Sequence, residues 1–364
     1  MDTLGQQDQE ILKLIKKRID DASSNEPCLL TDVDRMTDTA ADLGLNPSFV
    51  RTLFTSLNRE TRQVRIQHLI AAGNPGWCSY RTASYLGPVG TYSYQALKRY
   101  SAAQGREFEE VPCTNFRDQV NNVRRGITDL AFLPVENTSS GMINDALDLL
   151  NDPSVAVIGE VVLHIVHSLL MNHPENAPKI RFIYSHPQPI VQCSNFLRSR
   201  YPEVEYVYCD STADAIRQVK ELNSDEAAAI GSDMGGRIFG LAPVISNIAN
   251  QKANYTRFVV IAREGIKLPP DTDAKTSISF TTANEPGALS KILDTFRKYN
   301  YNMTKLTSRP IIGRPWEEQF YADFKANLES PDAQKALDEI RGNCRSLHVL
   351  GCYPVDQGSS EDQE

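Results

Sequence analysis

At 364 residues the chain is too long for one ordinary core, and usual domain sizes point to about two to four domains. Its 41% hydrophobic and 23% charged residues exclude both a disordered chain and a membrane-embedded one. A net charge of -8 gives no whole-chain reason to bind nucleic acid, so an anionic ligand would have to be held by local donors.

From the amino terminus, residues 1–10 are polar and acidic, with no basic start and no apolar signal core. No export signal is read there, and a cytoplasmic location is expected. Segment 6–70 reads as helical, with Ile11, Leu12, Leu14 and Ile15 on one face and Phe49, Leu53, Phe54 and Leu57 spaced by three and four. The breakers Ala71-Ala72-Gly73-Asn74-Pro75-Gly76 end it, so residues 1–72 are taken as an all-α domain.

Residues 82–264 then alternate short apolar runs with helical patterns, first through Leu133 and again after residue 178. This predicts two α/β lobes on largely parallel strands. The apolar stretch 155–171 is interrupted by Glu160, His164, His167 and Ser168; it falls short of a membrane span and suits a strand with a crossover between the lobes. Residues 256–262 form a late strand that returns to the first lobe, which makes a hinge. Residues 275–354 read as βαββαβ, the ferredoxin-like order, with Ser330-Pro331-Asp332 as a cap, first-turn proline and acid for the second helix. The tail from Asp356 is polar. The seven cysteines (Cys28, Cys78, Cys113, Cys193, Cys209, Cys344 and Cys352) are scattered, odd in number and never in a Cys-x-x-Cys pair. Reduced, buried thiols are expected rather than a disulfide framework or a zinc site.

In open α/β sheets ligands bind beyond the carboxyl ends of the strands. Four such exits combine glycine or small hydroxyl residues with a helix start: residues 87–93, 134–141, 185–189 and 231–236. Free backbone N–H groups and the positive dipole end would hold an anion there, although the same residues cap helices everywhere. No Gly-x-Gly-x-x-Gly fingerprint, Walker A string or Gly-x-Ser-x-Gly elbow occurs, which disfavours nicotinamide, nucleotide and hydrolase chemistry. His164 and His167 lack a third partner for a metal.

The strings Tyr85-Leu86-Gly87-Pro88-Val89-Gly90-Thr91-Tyr92-Ser93, Pro134-Val135-Glu136-Asn137-Thr138-Ser139-Ser140-Gly141, Tyr184-Ser185-His186-Pro187-Gln188-Pro189 and Tyr255-Thr256-Arg257-Phe258 resemble, in order and spacing, the signatures of the prephenate dehydratase family. Glu285-Pro286-Gly287-Ala288-Leu289 and Ser308-Arg309-Pro310 look like its C-terminal ACT regulatory domain. The resemblance implies a two-lobed, periplasmic-binding-protein-like dehydratase domain that turns prephenate into phenylpyruvate without a cofactor or metal. It implies Thr256 as proton donor with Asn137, Ser185 and Gln192 at the substrate, and Glu136, Thr91, Ser93, Arg257 and Thr138 as further binding residues. L-phenylalanine would bind at Gly287, Ala288 and Leu289, faced by Ser308, Arg309 and Pro310 across a homodimer or dimer of dimers. Thr307 stands where relatives often carry glutamate, so inhibition is expected to be weaker or altered. If the strand around Thr256 is fully extended, Arg257 faces the opposite side. Arg257 then either binds a carboxylate through a bulge or ties the strand to the neighbouring lobe.

The N-terminal segment looks like a helical chorismate mutase domain, with Asp8, Arg18, Asp32 and Arg35 at plausible positions. An early arginine and an active-site lysine lack counterparts, while Met36 and Arg65 replace an acid and a glutamine. Loss of cations should be costly for rearranging a dianion, so weak or absent mutase activity is expected, against a fully bifunctional alternative. Other readings are a non-catalytic solute sensor, which turnover would exclude, and an ACT-regulated dehydrogenase, which a nicotinamide-binding test would exclude.

Overall fold

The computed structural model describes residues 3–22, 31–311 and 313–356. Cys28, the stretch in which a mutase lysine was sought after Ala22, and the tail beyond Asp356 lie outside the described residues. The chain divides into two compact units, one of residues 1–78 with 267–272 and the other of residues 79–266 with 273–364.

The first unit is helical: α1 (Thr3–Ala22), α2 (Val33–Asp42) and α3 (Pro47–Gly73). Asp32 caps α2 by accepting from the Asp34 and Arg35 amides, and Asn46 caps α3 ahead of a first-turn proline. Ile11, Leu12, Leu14, Leu43, Leu45 and Phe49 remain exposed on this unit. No helix among the described residues is long and apolar enough to cross a membrane.

The second unit opens with a lobe containing β1 (Thr82–Leu86), α4 (Tyr92–Ala103), β2 (Glu109–Cys113), α5 (Phe116–Arg125), β3 (Leu130–Asn137), β4 (Gly141–Met142), α6 (Asn144–Leu149) and β5 (Ala156–His164). The other lobe follows with β6 (Ser168–Met171), β7 (Phe182–Ser185), α7 (Pro187–Gln192), α8 (Ser194–Arg200), β8 (Glu205–Tyr208), α9 (Thr212–Leu222), β9 (Ala227–Gly231), α10 (Asp233–Phe239) and β10 (Ala242–Ile245). The chain returns through β11 (Tyr255–Ala262), inserted between β3 and β5. The sheets are mixed rather than largely parallel: β1, β2 and β3 run parallel, as do β7, β8 and β9, but β11 is antiparallel to both neighbours and β6 is antiparallel to β9 and β10. The reason is topological, since β5 leaves the first lobe and β11 re-enters it from the opposite direction.

Lobe cores are built from alternating apolar side chains, with Leu133, Val259 and Ile261 in the first and Leu169, Ile183 and Ile230 in the second. Gly90 (φ +92°) lets the lobes touch, because a Cβ there would stand 3.2 Å from Phe239 Cε2 and 3.4 Å from Gly235 Cα.

The remaining elements are β12 (Ala274–Thr281), α11 (Ala288–Lys298), β13 (Met303–Pro310), β14 (Glu318–Lys325), α12 (Pro331–Asn343) and β15 (Ser346–Pro354), in the βαββαβ order expected. They form an antiparallel sheet of order β13-β14-β12-β15. Ile278, Phe280, Ile292, Phe296, Phe324 and Ile340 fill its core, and Ser330 caps α12 as read from the sequence. Tyr321, Leu350 and Tyr353 join the apolar cluster of the first lobe, so the two layers share a core. At Gly351 the fit is tight enough that any Cβ would be driven into the Val157 backbone. Gly351→Ala is expected to cost about 1–3 kcal/mol as overpacking, measured as a lower thermal midpoint; an unchanged midpoint would show that the contact gives way without cost.

Candidate active site

Thr256 lies at the start of β11, just after the chain re-enters the first lobe, and is 8% exposed. Asn137, opposite it on β3, donates from Nδ2 to Thr256 Oγ1 at 2.9 Å and to Asn254 Oδ1 at 2.7 Å. The amide cannot be turned over, because Asn137 Oδ1 accepts the backbone N–H groups of Ser139 (3.0 Å) and Ser140 (2.9 Å), which only donate. Thr256 Oγ1 therefore accepts from Asn137 and donates its own proton to no group among the described residues. Asn254 was not singled out in the sequence. It is 1% exposed, its Oδ1 receives Asn137, and its Nδ2 is buried with no partner among the described residues. An asparagine one residue ahead of a strand carries no distinctive local signal.

The pairing of Thr256 with Asn137 depends on a bulge. Arg257 pairs with Glu136 but Phe258 pairs with Pro134, so Val135 is an extra residue on β3. Val135 packs with Leu133 in the core cluster shared with the βαββαβ layer. Strict alternation from those residues would send Asn137 the same way. The bulge reverses the phase, leaving Asn137 beside Thr256 and turning Glu136 onto the face of Arg257.

That opposite face is charged. Arg257 meets Asp323 on β14 at 2.8 Å, Glu160 on β5 at 3.4 Å and Glu136 at 3.6 Å. Lys275 on β12 reaches Glu160 at 2.7 Å, and Lys305 on β13 pairs with Glu136. Burial works against the Arg257 charge, but Asp323, Glu160 and Glu136 outweigh it and raise the guanidinium pKa further. Arg257 thus points to β14 of the βαββαβ layer rather than to the other lobe. Glu136, expected at the substrate, is turned from Thr256 toward that layer too.

The other residues named from sequence are held as follows. Thr91 caps α4, accepting from the Tyr94 amide and donating to Leu86 O at 3.0 Å, and Ser93 is buried in the next turn. Both stand in the loop and first turn that touch the second lobe. Thr138 donates to Ala253 O and accepts from the Tyr255 amide, tying the end of β3 to the returning chain. Ser185 ends β7 fully buried, donating to Ile230 O at 3.1 Å. Gln192 ends α7, with Oε1 2.7 Å from His167 Nε2.

In the βαββαβ layer Gly287, Ala288 and Leu289 line a cavity of about 490 Å³ with Thr282, Phe320 and Arg345. Ser308, Arg309 and Pro310 do not line it. Arg309 instead meets Asp148 of α6 at 3.0 Å, and Thr307 lines a small seam beside Arg257 and Lys305. In the helical unit Arg18 bonds Asn58 at 2.5 Å and lies over the Phe54 ring, Asp32 is spent on capping, and Arg35 is exposed.

These features define a class: a two-lobed α/β domain with an oriented amide–hydroxyl pair at the lobe junction, joined to a βαββαβ layer by buried charges. Residues 83–266 match the prephenate dehydratase family and residues 276–342 the ACT domain. The chain belongs to the prephenate dehydratase family. A bifunctional chorismate mutase/prephenate dehydratase from Enterobacter agglomerans is 44% identical over 273 residues, 75% of this chain and 70% of that protein. The protein of the same description from Escherichia coli K12 is 43% identical over 315 residues, covering 86% of this chain and 81% of its own length. Among solved structures, a prephenate dehydratase from Arthrobacter aurescens in complex with L-Phe matches with a TM-score of 0.68 and 26% identity, over 75% of this chain and 90% of that one. A chain described as a novel type of quorum quenching acylase matches at 0.66 and 28%, over 76% and 99%.

Proposed function

We propose that this protein converts prephenate to phenylpyruvate, water and carbon dioxide, with Thr256 as the proton donor. The observation that carries this reading is the amide of Asn137, held by the Ser139 and Ser140 amides so that it donates to Thr256 Oγ1. A hydroxyl that accepts such a bond keeps its proton for a ligand, and the developing alkoxide is stabilised by a donor already in place. The proton goes to the ring hydroxyl of prephenate, the C–O bond breaks as water leaves, and the ring carboxylate departs as carbon dioxide, its bonding pair completing the aromatic ring. Solvent restores the threonine proton. Ser185 and Gln192, on the second lobe, hold the substrate from the other side. No cofactor takes part.

The segments 1–72, 82–264 and 275–354 serve as separate domains, with L-phenylalanine inhibiting through the cavity at Gly287, Ala288 and Leu289. The working unit is a homodimer or dimer of dimers. Exposed apolar residues on α1 and α3 support this, as do Ser308 and Pro310 exposed on the edge strand β13. It works in the cytoplasm, consistent with free thiols at Cys113, Cys193, Cys209, Cys344 and Cys352. The test is to incubate the purified protein with prephenate and follow phenylpyruvate, with and without phenylalanine; no turnover would overturn the reading. Chorismate is expected to be consumed far more slowly, because Asp32 and Arg18 are already engaged. Equal rates would instead establish a fully bifunctional enzyme.

A further inference from the structure

Two crossovers, residues 165–167 and 246–254, join the lobes and are hydrogen-bonded to each other: Ile165 N donates to Asn254 O at 2.7 Å and Ile248 N to His167 O at 3.0 Å. His167, 1% exposed, sits in the first of them between the lobes. Its Nδ1 is 2.9 Å from Tyr92 Oη of α4, and its Nε2 is 2.7 Å from Gln192 Oε1 of α7. The Tyr92 and imidazole rings meet edge-on at 5.6 Å, and Tyr92 Oη also lies 2.8 Å from Val166 O. Gln192 is held by the other crossover as well, through its carbonyl, which accepts from Asn250 N at 2.7 Å.

Burial pushes the His167 pKa down, so the imidazole is neutral and carries one N–H. With Gln192 Oε1 placed toward the ring, Nε2 carries the proton and Nδ1 is the acceptor, competing with Val166 O for the single Tyr92 hydroxyl proton. With Oε1 so occupied, the Nε2 group of Gln192 has no partner among the described residues and is left to donate.

We infer that His167 is a positioning residue, fixing the Gln192 amide with its N–H groups turned out as donors for an anionic oxygen of the substrate. Tyr92 makes that orientation depend on the lobes being together. The inference rests on the reading of this protein as a prephenate dehydratase in which Gln192 meets the substrate. The test is a kinetic cycle on the full chain with prephenate. His167→Phe keeps a ring but removes both nitrogens, and it should lower kcat/KM about ten- to hundredfold, the loss of an oriented bond to a charged group. His167→Gln, which can still donate to Gln192 Oε1, should recover most of that loss. In a Gln192→Ala background His167→Phe should cost no more than about twofold further, because the residue it positions is gone. Losses that multiply independently would mark His167 as merely structural and overturn the inference. An unchanged kcat/KM for Gln192→Ala would overturn its premise, whereas absence of turnover in the wild type would overturn the functional reading itself. Should His167→Phe not fold, Tyr92→Phe removes one hydroxyl and should show a several-fold loss that likewise vanishes with Gln192→Ala; a loss that persists there would count against the relay.

Discussion

Thr256→Ala is expected to lower kcat for prephenate by about 100-fold or more, the usual worth of a positioned general acid, while Thr256→Ser retains a measurable share. Serine keeps the hydroxyl that Asn137 addresses at 2.9 Å but loses the methyl that limits its rotamers, so its proton is aimed less consistently. KM should change less than kcat, since the proton moves only as the C–O bond breaks. Steady-state assays of phenylpyruvate formation decide the matter. Turnover of the alanine variant at the wild-type rate would remove Thr256 as the acid and leave the amide of Asn137 without a catalytic purpose.

Arg257→Met is expected to destabilise the second unit by about 3–5 kcal/mol, the cost of breaking a buried ion pair by removing one partner. The side chain is 14% exposed, and its loss leaves Glu136, Glu160 and Asp323 with Lys275 and Lys305 as their paired cations among the described residues. Three carboxylates against two lysines cannot all stay charged and paired in that volume. The double variant Arg257→Met with Asp323→Asn restores the balance and should recover a large part of the loss. Arg257→Lys should not, because an ammonium point charge cannot serve partners in three directions as a guanidinium fork does. Thermal midpoints of the variants read out both effects, and a midpoint for Arg257→Met within a degree or two of wild type would show the cluster to be dispensable.

These expectations differ in how far they were legible in the chain. Thr256 and Asn137 stand in short motifs at predicted strand ends, where breakers and hydroxyl residues mark the change from strand to helix. Thr91 and Ser232 stand in the same kind of position, yet both cap helices, α4 and α10, which is the bland role such residues most often play. A local pattern cannot tell these roles apart, because a cap and an anion site use the same donors and acceptors. Asn254 and His167 carried no usable signal at all: one orients Asn137 from a crossover, and the other bridges residues 75 positions upstream and 25 downstream.

By itself the sequence determined the helical start, the two α/β lobes, the βαββαβ end and the motifs at the strand exits, because apolar period and breakers act over a few residues. It also set Thr256 and Arg257 on opposite faces on condition that the strand is fully extended, and left open whether a bulge re-aims Arg257. Only the tertiary structure decided what lies on each face. The extra residue at Val135 reverses the phase of β3, bringing Asn137 to Thr256 and sending Glu136 with Arg257 to the regulatory layer. The phase of a strand against its partner depends on a register that neither strand contains, so it is settled when β11 returns from the other lobe and pairs with β3.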